Sequence, residues 1–82
     1  MLRAETVEID RIRVPVKRRK TLDHGKVSAI AESLLEDTPV PPIRVRRDGD
    51  NYVLVEGFHR LEARKAIGDD AIESYIVQPR KY

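Results

Sequence analysis

Hydrophobic and polar positions change period several times along this 82-residue chain, and each change marks an element. From Glu5 to Val14, the apolar residues Val7, Ile9, Ile12 and Val14 give a broken two-residue alternation with an irregular step near Asp10, which predicts a first strand stopped by Pro15. After Asp23 the apolar residues Val27, Ile30, Ala31, Leu34 and Leu35 recur at i, i+3, i+4, i+7 and i+8, the stripe of an amphipathic helix. Asp23 is its expected N-cap, and Thr38-Pro39-Val40-Pro41-Pro42 cannot continue a helix, because proline lacks the N–H and restricts the residue before it. Ile43 and Val45, then Tyr52 through Val55, flank Asp48-Gly49-Asp50-Asn51, and this pattern predicts an antiparallel hairpin. Gly57 marks a strand turning directly into a helix over Arg60 to Ile67, which Gly68 should end. Ile72 to Val77 reads as the last strand, stopping before Pro79.

Strand, helix, hairpin, helix and strand in this order predict one α+β domain over residues 1–82, with helices packed against a mixed sheet. Composition narrows the interior. Hydrophobic residues are 40% of the chain, yet only Phe58 and three tyrosines, including Tyr82, are aromatic, so aliphatic side chains must fill the core. A domain of this size buries only about 60% of its unfolded surface, which leaves room for a homodimer or a larger protein partner. The absence of cysteine excludes disulfides, thiolate nucleophiles and cysteine-ligated zinc. No apolar run approaches the ~20 residues of a membrane span and no secretory signal is present, so a cytoplasmic protein is the default expectation.

The formal net charge is only +2, but its distribution is uneven. Positive charge collects in Lys17-Arg18-Arg19-Lys20 and in Arg44, Arg46 and Arg47, while acidic residues are scattered, which favours a local anion site. Gly57-Phe58-His59-Arg60 is the candidate. A helix start carries unpaired N–H groups and the positive end of the helix dipole, so sequences usually place Asp or Glu there. Here the first turn carries His59 and Arg60, an arrangement that becomes favourable when a phosphate occupies the site. The alternative reading is a half-buried His59 satisfying a backbone carbonyl, with Arg60 paired to Glu56 or Glu62. On the first helix, Lys26 and Ser33 lie two turns apart on one line with Ile30 between them, able to overlook one cleft or simply to face solvent. The tetrad could bind phosphates of a nucleotide or nucleic acid, or be a solvated loop. The chain contains no Walker or dinucleotide glycine pattern, no spaced metal-ligand set around His24, and no Ser-His-Asp arrangement.

Taken together, Leu22-Asp23 through Lys26-Val27, Glu36-Asp37, Val40-Pro41-Pro42-Ile43 and Gly57-Phe58-His59-Arg60 resemble the ParB/sulfiredoxin superfamily over nearly the whole chain. The resemblance implies a small α+β domain that binds ATP, ADP or CTP, with phosphates at the start of the helix after the glycine. It implies that His59 and Arg60 contact phosphate, with Lys26 and Ser33 also touching the nucleotide. Arg13 is similar to an arginine near that cleft. Phe58 stands where sulfiredoxins carry their reactive cysteine, so sulfinic acid reduction is excluded. Phe58-His59-Arg60 also departs from the Glu-Arg-Arg of ParB proteins, and no helix-turn-helix domain follows, so centromere binding by this domain alone is not expected. Glu56-Gly57-Phe58-His59-Arg60 is similar to the corresponding segment of the superfamily's small-molecule kinases.

Three functions follow as expectations. The first is a nucleotide-binding module built on Lys26, Ser33, Gly57, Phe58, His59 and Arg60. The second is a phosphoryl-transfer or nucleotide-hydrolysing enzyme on the same site, with Glu56 holding Mg²⁺ or accepting a hydroxyl proton. The third is a nucleic-acid-binding or nuclease-like domain using Lys17, Arg18, Arg19 and Lys20, with Arg13 beside them.

Overall fold

The first stretch of alternating residues does not run as one strand. In the computed structural model, which describes residues 3–78, Ala4–Glu8 forms β1, Ile9–Arg11 a single 3₁₀ turn and Ile12–Arg13 the short β2. The physical reason is the odd spacing of Ile9 and Ile12. A continuous strand would turn them to opposite faces, whereas a 3₁₀ turn brings residues three apart to the same side, and both are buried. The Ile9 N–H donates to the Asp70 carbonyl at 2.8 Å, fixing the break.

The remaining elements are α1 (Val16–Arg19), α2 (His24–Leu35), β3 (Ile43–Asp48), β4 (Asn51–Glu56), α3 (Phe58–Ala66) and β5 (Ala71–Val77). The basic tetrad, expected in a loop, is therefore mostly a one-turn helix. Pro15 precedes it at φ −57°, suited to entering a helix, and its carbonyl accepts from the Arg18 N–H at 3.0 Å. The expected stop at Pro79 and the aromatic Tyr82 lie outside the described residues.

Five strands form one mixed sheet in the order β1-β5-β3-β4-β2. β1 runs antiparallel to β5 with Val7 opposite Ile72, β5 is parallel to β3, β3 and β4 form the hairpin, and β2 is parallel to β4 with Ile12 opposite Tyr52. The two edge strands are joined through three residues. Four Cα steps span at most about 15 Å, whereas a flat five-stranded sheet would separate its edges by about 19 Å. The sheet must therefore roll, bringing β1 and β2 toward each other around the core of Ile43, Val45, Leu54, Leu61 and Ile72.

α3 supplies the helical layer of that core through Phe58, Leu61 and Ala63. α2 departs from expectation: it packs on α3 rather than on the sheet and has no buried residue. Its stripe is only half covered, and Leu35 is 71% exposed. What fixes α2 is its ends. Asp23 accepts from the Gly25 and Lys26 N–H groups at 2.9 and 3.2 Å, as expected of the N-cap. At the other end the Asp37 N–H donates to the Leu34 carbonyl at 3.2 Å and the Thr38 N–H to the Ser33 carbonyl at 2.8 Å, with Asp37 held at φ +59°. This is the Schellman arrangement with aspartate where glycine is usual. Asp37→Gly is expected to raise stability by about 0.5–1 kcal/mol, relief of the left-handed strain outweighing the added chain entropy. A urea melt showing a lower midpoint would contradict this account of the cap.

Candidate functional site

The sheet delivers its chain to α3 through a distortion. Between Arg44 and Val45 the β3–β4 register shifts, so that Leu54 and Glu56 face consecutive β3 residues and Val55 has no partner across the ladder. The Val55 carbonyl instead accepts from the Arg18 guanidinium at 2.6 Å, which anchors α1 beside the start of α3. Gly57 then adopts φ +107° and ψ +33° as the N-cap. A Cβ there would lie 2.6 Å from Ile43 Cγ2 and 2.9 Å from Ile43 Cβ, so only glycine lets the strand turn this closely into the helix.

The two long helices begin differently. α2 has its aspartate cap, whereas no side chain among the described residues caps α3 and its first turn holds no acid. The Leu61 N–H is the first to reach back, to the Gly57 carbonyl at 2.9 Å. The N–H groups of Phe58, His59 and Arg60 thus form an uncapped, electropositive end.

That end opens into a cleft of about 420 Å³ between α2 and α3. All six residues expected from sequence to touch a nucleotide line it: Lys26 and Ser33 from α2, and Gly57, Phe58, His59 and Arg60 from α3. Arg18 lines it too, alone among the tetrad. Thr21, Val40 and Pro41 complete the walls together with Ile30. Sequence reasoning named Val40 and Pro41 as helix breakers and as part of the family resemblance, without a role at the cleft, and passed over Thr21, whose hydroxyl caps the preceding turn by donating to the Arg18 carbonyl at 2.7 Å. Arg13 does not reach the cleft; it pairs with Asp48 at 3.2 Å near the hairpin. Glu56 is also outside the lining, 61% exposed, with Oε1 3.4 Å from Arg60 Nη2.

The cationic side chains are held by the protein itself. His59 Nε2 lies 3.1 Å from the Asp23 N–H, which donates to it, and 3.2 Å from the Thr21 carbonyl. Nε2 accepts from that N–H in the tautomer that carries its proton on Nδ1, and donates to the Thr21 carbonyl when it carries a proton itself. Arg60 donates through Nη1 to the carbonyls of Pro41 and Pro42 at 3.2 and 2.9 Å and through Nη2 to Glu56. The alternative weighed from sequence, a half-buried His59 satisfying a backbone carbonyl with Arg60 paired to Glu56 or Glu62, matches the Arg60–Glu56 contact and, with Nε2 protonated, the His59–Thr21 contact. They do not close the cleft. Three of the five guanidinium N–H groups are engaged, which leaves two, and the side chain is 20% exposed. The lining carries Arg18, Lys26, His59 and Arg60 and no carboxylate.

Asp23 sits at the joint between the helices. The Lys26 N–H foremost, then that of Gly25, with the charges of Lys26 and His59 contributing less, hold its carboxyl below the usual carboxylate range against an opposing desolvation that only the Lys26 bond exceeds. A depressed value means the folded state keeps the charge longer than the unfolded chain. The cap's contribution is therefore whole above the ordinary aspartate range and is lost as pH falls below about 4. A circular-dichroism melt series from pH 6 to 3 should show Asp23→Asn losing less stability on acidification than the parent chain; equal losses would remove Asp23 from the account.

Residues 2–81 match the family described as ParB N-terminal domain. The probable chromosome-partitioning protein ParB of Campylobacter jejuni is 34% identical over 71 residues, 85% of this chain but 26% of that protein. Sulfiredoxin from Arabidopsis thaliana has a similar structure, with a TM-score of 0.79, 26% identity, and coverage of 96% of this chain and 86% of that one. The C-terminally truncated ParB from Caulobacter crescentus, solved with CTP-γ-S, gives a TM-score of 0.80 at 19% identity, covering 96% of this chain and 46% of that one. The chain spans about a quarter of the length of the Campylobacter protein. The family match over almost the whole sequence, on a rolled mixed sheet shared with both ParB and sulfiredoxin, shows that this chain belongs to the ParB N-terminal domain family of the ParB/sulfiredoxin superfamily.

Proposed function

We propose that the cleft between α2 and the start of α3 binds the phosphates of a nucleotide. One observation carries this reading. Six residues expected to touch a nucleotide, from two segments more than twenty residues apart, line a single cavity whose charged groups are all basic. A volume of about 420 Å³ falls within the range of small-molecule sites, about 300–1,000 Å³. Phosphate would meet the uncapped N–H groups of α3, the free edge of Arg60 and the Lys26 ammonium, with Arg18 beside Gly57. The relative solved with CTP-γ-S supports the reading by its shared fold.

Turnover finds less support. Phosphoryl transfer calls for a carboxylate to hold the metal or orient the nucleophile. None lines the cleft, and Glu56 is turned to Arg60. The residues present do not furnish a magnesium site, so any Mg²⁺ would arrive on the phosphates. The basic tetrad offers little to nucleic acid as a unit, because Arg18 is tied to Val55 and turned into the cleft while its neighbours are exposed on α1.

Calorimetric titration with ATP, ADP and CTP, with and without Mg²⁺, tests this directly when paired with chromatographic assay of the products. Binding with the nucleotide recovered intact is expected. Turnover abolished in Glu56→Gln with binding retained would move the assignment to an enzyme, and duplex DNA binding that survives Arg60→Ala would move it to nucleic acid.

A further inference from the structure

We infer that a groove beside Phe58, on a different face of α3 from the cleft, docks an acidic segment of a partner protein, one whose large apolar side chains stand between carboxylates. Phe58 separates the two sites, since it lines the cleft on one side and a cavity of about 300 Å³ on the other. Ile12 and Val14 complete the apolar part of that cavity. A second cavity, of about 310 Å³, continues past Leu22 between α2 and α3, with Val27 and Ala66 in its walls. Leu22, Glu62 and Lys65 border both cavities. The α3 residues along this path, Phe58, Glu62, Lys65 and Ala66, recur at i, i+4, i+7 and i+8, one helix face about 12 Å long. An extended chain of about four residues spans that length.

The groove is apolar within and basic at its mouth. Ile12, Val14 and Phe58 are recessed, each no more than 8% exposed, whereas Leu22 still shows 38% of its surface. Leu22 and Val27 hold the N′ and N4 positions of a hydrophobic staple around the Asp23 cap, which accounts for the inner side of Leu22 and leaves its outer side uncovered. The rim carries Arg13, Arg19 and Lys65 against one carboxylate, Glu62, which Lys65 already holds at 3.1 Å. Arg13 is paired with Asp48 in an exposed contact, while the Arg19 guanidinium has no ion-pair partner among the described residues. α1 thus sends Arg18 to the cleft and Arg19 to the groove. A recessed apolar floor admits a protruding side chain but not a flat lipid surface, and with Glu62 beside it a phosphate chain finds little to hold. A second copy of this chain would present exposed Leu35 beside Glu32 and Glu36, but that contact joins unlike faces and leaves one of each open, so copies would add without closing. An acidic partner segment meets the free cation with its carboxylates and covers Leu22 with its apolar side chains.

A display library of random twelve-residue peptides panned against the parent chain, followed by fluorescence anisotropy on a labelled synthetic copy of the most enriched sequence, tests this. Enriched sequences should share one or two large apolar residues flanked by Asp or Glu. Arg19→Glu should weaken binding about two- to tenfold, as an exposed ion pair gives way to a repulsion of similar size. Arg44→Glu, the same change of charge on the sheet face turned away from α3, should alter it less than about twofold. Ala66→Arg adds a cation that suits the last turn of a helix, yet it fills the groove, so binding should weaken about fivefold or more where attraction of charge alone would tighten it. Melts show which variants are folded, and Arg19, exposed on α1, keeps the test open if Ala66→Arg is not. No enrichment, enrichment without acidic residues, equal losses from Arg19→Glu and Arg44→Glu, or a folded Ala66→Arg that binds as well as the parent overturns the assignment. A loss in Lys26→Ala as large as in Arg19→Glu also overturns it, by moving the peptide into the cleft. Concentration-dependent self-association abolished by Leu35→Ser does so as well, by giving the groove to a second copy.

Discussion

Gly57→Ala is expected to destabilise the chain by about 2–6 kcal/mol, the sum of left-handed backbone strain and overpacking of about 1–3 kcal/mol each. At φ +107° an L side chain is strained whatever space surrounds it, and here there is no space. The two nearest atoms belong to Ile43, which is fully buried in the central strand β3 and cannot swing away without disturbing Val45 and Leu61 beside it in the core. Relief would have to come from moving the β4–α3 junction away from β3, which also displaces the N–H groups that face the cleft. Chemical denaturation should therefore show a lower midpoint, and any folded fraction should bind nucleotide poorly. A melt like that of the parent chain would show that the strand-to-helix turn is not the constraint described above.

Arg60→Ala is expected to weaken ATP binding by about 10- to 150-fold, the equivalent of one charge-assisted contact of about 1.5–3 kcal/mol. The side chain is one of few in the molecule gripped at several points, by the carbonyls of Pro41 and Pro42 and by Glu56. These bonds fix the guanidinium plane before any ligand arrives, so little ordering is left to be done on binding. Glu56→Gln separates the two roles of the pair. Its carboxylate is 61% exposed and its ion pair with Arg60 weak, so this change should alter ATP affinity less than about fivefold. Arg60→Ala that leaves affinity unchanged, measured on protein shown to be folded by its melt, would remove this residue from the site.

Much of this architecture is legible in the residues. The α2 stripe, its Asp23 cap, the Gly49 turn and the Gly57 junction are local matters, decided within a few residues by hydrogen bonding and allowed backbone angles. The candidate cleft is legible for the same reason, since a basic first turn behind a glycine stands out against the helix dipole. What is not legible depends on distant partners. The alternation of Val7, Ile9, Ile12 and Val14 conceals a break that exists because Ile9 bonds to Asp70 and because β1 and β2 lie on opposite edges of the sheet. The tetrad reads as a loop because nothing nearby shows that a bulge at Val55 leaves a carbonyl for Arg18. The α2 stripe predicts a buried face, but the helix finds only α3 to rest on. Arg60 likewise shows its charge in the sequence and its proline carbonyl partners only in the fold.

The most direct measurement is a ¹⁵N-correlated NMR titration with ATP that follows backbone amides individually. Phosphate seated on the open end of α3 predicts large, saturable shifts at Phe58, His59 and Arg60, smaller ones at Lys26 and Ser33, and none along β1. Amides of residues 58–60 that stay fixed at millimolar ATP would contradict the account, whatever else in the chain moves.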